Sequence, residues 1–342
     1  MMHRYCFEPL DKSLRDILRF RDASNLDRPF GGKTIVRGGD FGKILLVIPK
    51  GTRQDIVNAS LNSSYLWPHC QLLKLTKNIR LQGNEIGTHL DELRVFLDWI
   101  LAIGDGMVGT SVDGYEKVQI PDDLLIKQSV DPISAIVEST YPDFNNRCSN
   151  IGYLQQRAIL APTLDTVESI NECMISLNES SEKSYLSSDT ICNSDHTCSA
   201  LEHVHTPEFL NTIKCSGVPN HPLTLKVGIP VMLLRNIDQS AGLCNGTRLI
   251  ITKLGNQVIE AKVLSGQMAG QKVFILKMTL TISDARIPFK FQRRQFSIVV
   301  SFAMTINKSQ VQSLSRVRLF LKKLVFTHIQ LYAALSRVTT RK

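Results

Sequence analysis

Apolar residues recur along this chain in two rhythms, and the points where the rhythm changes divide it. Residues 1 to about 30 carry helical spacing, after which β-branched runs at 34–36 and 43–48 predict strands, the second closed by Pro49-Lys50-Gly51. Residues 54–60 predict a helix and 70–75 a third strand, so strands alternate with helices as in a parallel sheet. From His89 onward Leu90, Leu93, Leu97 and Ile100 share one helical face with charges opposite, and residues 104–114 predict a loop. A further strand, 157–162, leads to Thr163, a residue able to cap a helix that turns Val167, Ile170, Met174 and Ile175 inward. Residues 179–199 are rich in Ser, Asp, Asn and Glu and predict a boundary or surface loop. Between 223 and 282, β-rich runs broken by turns such as Leu254-Gly255-Asn256 predict a small, strongly bent antiparallel sheet or barrel. A strand at 296–300 then resumes the α/β pattern, so the β-rich segment reads as an insertion.

Composition narrows the class. At 342 residues, 43% hydrophobic and 21% charged, the chain can bury two or three cores and is not of disordered type. No basic segment followed by an apolar run opens it, and the most apolar helical stretch, 95–108, is short and interrupted by Asp98 and Asp105. A soluble intracellular protein with no membrane partner is expected. The eight cysteines are scattered, without the density of a disulfide scaffold, and predict free thiols. Cys192, His196 and Cys198 have ligand-like spacing, but no second pair lies near them and the segment is loop-like, so no metal is expected.

Charge changes the picture more. From 285 to 342 there are twelve Lys/Arg and no acid, which leaves 28 basic against 31 acidic residues in the rest of a chain whose net charge is +9. Two readings follow: a solvated face with unbalanced lysines, or a surface that meets a polyanion backbone.

The stretch DRPFGGKTIVRGGDF, residues 27–41, holds Gly32-Lys33-Thr34 and invites comparison with a phosphate loop. Such a loop needs a glycine five residues earlier and a helix after it, so that backbone N–H groups and the helix's positive end face the phosphates. Here Asp27 takes the glycine's place and a β-branched run follows, so the stretch is not expected to bind phosphate.

Six segments in order carry a family resemblance: GGDF at 38–41 with LVIPKG following, LTKNIR at 75–80, APT at 161–163, LTLKVGIPVMLLRNI with NGTRL at 223–249, FAMTINKSQ at 302–310, and QLYAALSRVTTRK at 330–342. Together they resemble the ATP-dependent DNA helicases of the Pif class, superfamily one, in the version found in plants and Helitron-type transposons. The resemblance implies an α/β fold: the C-terminal part of a first RecA-like domain (1–130), a second RecA-like domain (131–180 and 295–342), and an inserted small antiparallel β-barrel (200–285). It implies a nucleotide between the RecA-like domains, single-stranded DNA across both, 5′-to-3′ unwinding driven by ATP with magnesium, roles in repair, recombination and telomere maintenance, and a nuclear or mitochondrial location. Other helicase or transposon proteins are implied partners.

Residue by residue, Asp40 and Lys43 fall in the nucleotide-sensing motif, with Lys43 where a glutamine is usual. Arg80 and Arg337 match arginines that reach the transferring phosphate, a task suited to a planar, permanently charged donor. Lys308, Ser309 and Gln310 match the motif coupling nucleotide to DNA, and Thr163 one that holds the DNA backbone. Without the resemblance, both arginines could be read as surface salt-bridge partners and Thr163 as a helix cap. Leu46 stands where the family has proline, and Val311 where it has glycine, a substitution expected to strain the backbone. The family's phosphate loop and Asp-Glu pair would lie upstream of Met1, so the chain is expected to be a truncated helicase that does not turn over ATP alone. The alternatives are a non-catalytic nucleic-acid-binding or helicase-partner scaffold, and a non-functional gene fragment.

Overall fold

Helix α1, Glu8–Leu18, opens the described chain with Pro9 in its first turn and Glu8 and Asp11 beside its positive end. Asp11 is fully buried on it. Its carboxylate accepts the Phe30 amide N–H at 2.5 Å and the Tyr65 hydroxyl at 2.9 Å, and lies 2.9 Å from Arg15 Nε. These bonds hold the turn Pro29–Gly32, in which Phe30, Gly31 and Gly32 all have positive φ (54°, 60° and 76°). A Cβ on Gly31 would stand 2.8 Å from Leu18 Cδ1, so only glycine lets the turn close on α1. Gly32-Lys33-Thr34 is therefore packing punctuation.

The computed structural model describes residues 3–39, 46, 48, 51–75, 88–112, 115–126, 130–148, 150–192, 206–215, 217–266, 268–282, 287, 289–312, 314–322 and 328–338. The chain divides into two compact units, Met1–Val118 with Thr327–Ala333, and Gln119–Phe326 with Ala334–Lys342.

In the first unit α1 is followed by α2, Arg53–Ala59, started by a reciprocal cap between Thr52 and Asp55, and by α3, Thr88–Gly104. Helix α3 buries Phe96, Leu97, Ile100 and Ile103, close to the face its sequence predicts. The expected strand at 34–36 does not form, and Val36 is 91% exposed. Residues 70–75 likewise make no ladder, leaving Leu73 and Leu75 in the open. β-branched and leucine-rich runs become strands only when a neighbour takes their N–H and C=O groups, and no described segment does so here. The strand expected at 43–48 lies mostly outside the described residues. The loop expected at 104–114 contains half of a hairpin, β1 (Thr110–Val112) against β2 (Tyr115–Lys117).

The second unit carries the α/β layer. Helices α4 (Pro132–Thr140), α5 (Phe144–Arg147) and α6 (Ile151–Gln155) lead to strand β3, Arg157–Ala161, buried at every position. Helix α7, Leu164–Leu177, follows and buries Val167, Ile170 and Met174. The segment expected to be a loop forms two strands, β4 (Glu182–Tyr185) and β5 (Ser188–Ile191), because Tyr185 and Asp189 alternate inward among polar neighbours. After α8, Pro207–Thr212, come β6 (Leu223–Lys226), β7 (Pro230–Leu233), β8 (Arg248–Leu254), β9 (Val258–Val263), β10 (Lys272–Ile282), β11 (Phe291–Phe296) and β12 (Ile298–Val300). Strands β13 (Ala303–Thr305) and β14 (Arg316–Leu319) then flank β3, both parallel to it. Helix α9, His328–Leu335, belongs to the first unit as far as Ala333 and to the second from Ala334.

The insertion is a seven-stranded antiparallel sheet in the order β12-β7-β8-β9-β10-β11-β5. Strand β10 is shared by two neighbours: residues 272–276 pair with β9 and 277–282 with β11. The antiparallel sheet matches the sequence expectation. The barrel does not, because no pairing among the described residues joins the edges β12 and β5, and the sheet stays open. Gly255 makes the β8–β9 turn as expected, its N–H donating to Val258 O at 3.0 Å.

Two buried arginines rivet this unit. Arg293 on β11 forms a fork with Asp189 on β5 (2.7–3.1 Å) and donates to the carbonyls of Leu210, Ile213 and Pro219. Arg248 on β8 donates to Leu154, Gln155 and Ser301 carbonyls at 3.2–3.3 Å, two of them at the negative end of α6. One apolar cluster runs from Ile159, Ile170 and Phe302 to Leu249, Ile259 and Ile275, so parallel layer and inserted sheet share a core.

Candidate nucleic-acid interface

Parallel strands β3 and β13 are neighbours in register, Thr305 opposite Ala161, so both chains leave the sheet at the same edge. Ligand sites in such sheets form beyond the carboxyl ends of the strands. Thr163 lies two residues past β3 and Lys308 three past β13, which brings these two sequence-predicted residues to one edge. A cavity of about 20 Å³ there is lined by Leu164, Val167, Ser301, Thr305 and Lys308 among others.

Thr163 occupies the N-cap position of α7 without capping it. Its hydroxyl meets that of Thr166 at 2.8 Å, which leaves the helix's first amides to other partners. Lys308 is half-buried, and burial holds its ammonium below the usual lysine range. A desolvated cation near a helix's positive end suits a phosphate oxygen from a backbone. Ser309 is fully buried with its hydroxyl on Ile306 O (2.7 Å), so it shapes the turn Lys308–Val311 and does not face a ligand.

That turn is gripped from behind. Arg337 is buried, and its guanidinium donates to Gln310 O at 2.5 Å and reaches Ser309 O at 3.5 Å and Ser336 Oγ at 3.0 Å. Arg337 is therefore not at the surface, where the salt-bridge reading would have it. Val311 sits in a right-handed 3-10 turn without positive φ, so the strain expected from losing glycine there is absent. Asp40, Lys43 and Arg80 lie outside the described residues, as do His196 and Cys198 of the cysteine-histidine segment.

Two positioning residues escaped the sequence reading. Asn171 grips β13, donating to Val300 O and Ala303 O and accepting from the Ala303 N–H. Gln312 donates to Gly246 O at 2.5 Å, linking the turn to the approach to β8. Asn171 was findable, since it interrupts the apolar stripe of α7. Gln312 carried no signal.

The basic segment at 285–342 is not one surface. Arg293 and Arg337 spend their donors inside the fold, and Arg318 bonds Ser139 Oγ at 3.1 Å. A nucleotide cradle does not fit the 27–34 stretch: the N–H groups of Phe30, Gly31 and Lys33 are taken by Asp11, Arg28 and Phe30, and the Asp11 carboxylate lies alongside. Among the described residues no cluster of three His, Cys, Asp or Glu is placed to hold a metal ion.

The chain is similar to known protein families over two stretches that do not include Thr163, Lys308 or Arg337. A family model described as PIF1-like helicase matches residues 1–114, and one for the 2B domain of DNA helicase Pif1 matches 208–254. The chain is 32% identical over 148 residues to the ATP-dependent DNA helicase PIF1 of Xenopus laevis, which is 42% of this chain and 22% of that protein. Against ATP-dependent DNA helicase Pif1 of Bdellovibrio bacteriovorus it is 29% identical over 150 residues, 43% of this chain and 33% of the other. The matched region thus spans about a fifth to a third of these relatives' length. Among solved structures, Pif1 helicases at forked double-stranded DNA superpose with a TM-score of 0.59 at 21% identity, covering 99% of this chain and 64% of theirs. A Bacteroides Pif1 helicase in complex with ADP-AlF3 and single-stranded DNA gives 0.59 at 19%, covering 99% and 66%. These show a shared RecA-like α/β fold. No described helix is long and apolar enough to cross a membrane.

Proposed function

We propose that this chain, which is similar to Pif1-type DNA helicases over residues 1–114 and 208–254, forms the single-strand-binding part of an ATP-dependent DNA helicase. The observation that carries the reading is the placement of Thr163 and Lys308 just past two adjacent parallel strands at one sheet edge, with the Lys308 turn held by Arg337. In this reading a DNA phosphate lies between the N-terminus of α7 and the Lys308 ammonium, while the Ser309 and Gln310 carbonyls keep Arg337 in place. When a nucleotide is bound, its phosphoanhydride supplies the energy for movement along DNA. Arg337 then senses the state of the site by exchanging carbonyl bonds for a phosphate.

Translocation from 5′ to 3′, magnesium, roles in DNA repair, recombination and telomere maintenance, and a nuclear or mitochondrial setting belong to this proposal. So does an assignment of Arg80, Asp40 and Lys43 to the nucleotide side. In this reading the 342 residues by themselves bind single-stranded DNA but do not turn over ATP, since the N–H groups of Phe30, Gly31 and Lys33 in the 27–34 stretch are already taken within the fold. The experiment is phosphate release with single-stranded DNA present. Release at the no-protein level is expected, and release above it that disappears in Arg337→Ala overturns this part of the reading.

A scaffold that docks a protein in place of DNA is the second reading, favoured by the exposed leucines at 72, 73 and 75. It predicts binding insensitive to salt.

A further inference from the structure

The outer face of the inserted sheet carries an aromatic residue where folding alone has no use for one. On β10 Val273 and Ile275 point into the core, while Phe274 and Leu276 on the opposite face are 64% and 58% exposed. The strand is anchored by its inner side chains, so the phenyl ring stands on a rigid support.

The registers define its surroundings. Glu260 on β9 lies directly opposite Phe274, and exposed Lys253 on β8 pairs with Glu260 at a break in the β8–β9 register. One step along, Lys272 lies directly opposite Lys262. Directly opposed residues of an antiparallel pair share a face, and like charges so placed oppose folding. Only one carboxylate is present in these rows, and it is engaged: Glu260 bonds the Thr252 hydroxyl at 2.7 Å and lies 3.5 Å from Lys272. Among the described residues Lys253 and Lys262 form no ion pair. The face therefore combines an exposed ring, three lysines and one compensated acid, including a lysine pair that an anion would relieve.

Single-stranded nucleic acid has the matching chemistry, a flat base for the ring and phosphates for the lysines. A protein partner would match Phe274 and Leu276 but would need acidic side chains to satisfy the lysine row. We propose that this face is a second single-strand contact, in which a base stacks on Phe274 and flanking phosphates meet Lys262, Lys272 and Lys253. It lies on the inserted sheet, apart from the edge that holds Thr163 and Lys308, and it rests on the reading of the chain as a single-strand binder.

The test uses the full chain and an oligothymidylate carrying a dye. Phe274→Trp places a reporter in the face, with the wild type as the control for Trp67 and Trp99. Saturable quenching of the added tryptophan is expected. Phe274→Ala should weaken binding roughly 5- to 100-fold, the range for losing one base–aromatic stack. Lys262→Glu with Lys272→Glu should flatten the salt dependence by about one to two phosphate contacts. These side chains are exposed or half-buried, so the variants keep the fold, as a circular-dichroism melt checks.

If the oligonucleotide binds wild type with normal affinity but the tryptophan stays unquenched and all three substitutions leave affinity unchanged, this contact is refuted while the Lys308 edge stands. If no oligonucleotide binds the wild type, both readings fall. Self-association in sedimentation that Phe274→Ala abolishes, without quenching by the oligonucleotide, overturns the proposal in favour of an interface between copies.

Discussion

Asp11 shows how one buried side chain sets the behaviour of a segment. Burial opposes its ionisation, but the Phe30 amide, the Arg15 guanidinium and the Tyr65 hydroxyl outweigh this and hold its carboxyl below the usual range. A depressed folded-state value means stability fully present above the unfolded-state value of about 4 and lost as pH falls through the folded one. Urea unfolding followed at Trp67 should show a first unit that weakens below about pH 4, and Asp11→Asn should remove that acid dependence while lowering stability near neutrality. The Asp189–Arg293 pair makes a different prediction, since both side chains are almost wholly inaccessible (0% and 1%). Removing one partner leaves an uncompensated buried charge, so Asp189→Ala should cost about 3–5 kcal/mol in denaturant unfolding of the second unit. A change under about 1 kcal/mol would show that the pair contributes geometry but little energy.

At the scale of elements, the β8–β9 hairpin offers the sharpest test. A Cβ on Gly255 would stand 2.5 Å from Val258 O, a backbone atom that cannot move without opening the turn. Gly255→Ala should destabilise by about 1–3 kcal/mol and speed amide exchange along β8 and β9, whereas unchanged exchange would mean the turn relaxes freely. Elements with strong internal period were legible from sequence: α3, α7, β3 and the run β7 to β10 stand where the apolar pattern puts them. Those that depend on a distant partner were not. Residues 34–36 and 70–75 have strand-forming side chains without a described neighbour to pair with. Strands β4 and β5, Ser- and Asp-rich, became strands because β6 and β11 offered ladders and Arg293 neutralised Asp189. In the interface, side-chain types were legible in Thr163 and Lys308, but the direction of a guanidinium was not. Nothing in the motif reveals that Arg337 turns onto the carbonyls of 309 and 310.

Across the whole molecule, net charge alone misleads about where a polyanion would lie. The net +9 comes from the last 58 residues, yet two of the arginines there are structural. The cations proposed to meet DNA are Lys308 at the sheet edge and the lysine row of the inserted sheet, which lies outside that segment. Binding of single-stranded DNA through a few specific phosphate contacts is therefore the property to measure. The direct measurement is fluorescence anisotropy of a labelled single strand titrated with the full chain at stepped salt from about 50 to 200 mM. Affinity should fall linearly in log–log form with salt, and Lys308→Ala should weaken binding and lower the slope by about one. Absence of binding at the lowest salt, or binding with no salt slope and no response to Lys308→Ala, would contradict this reading.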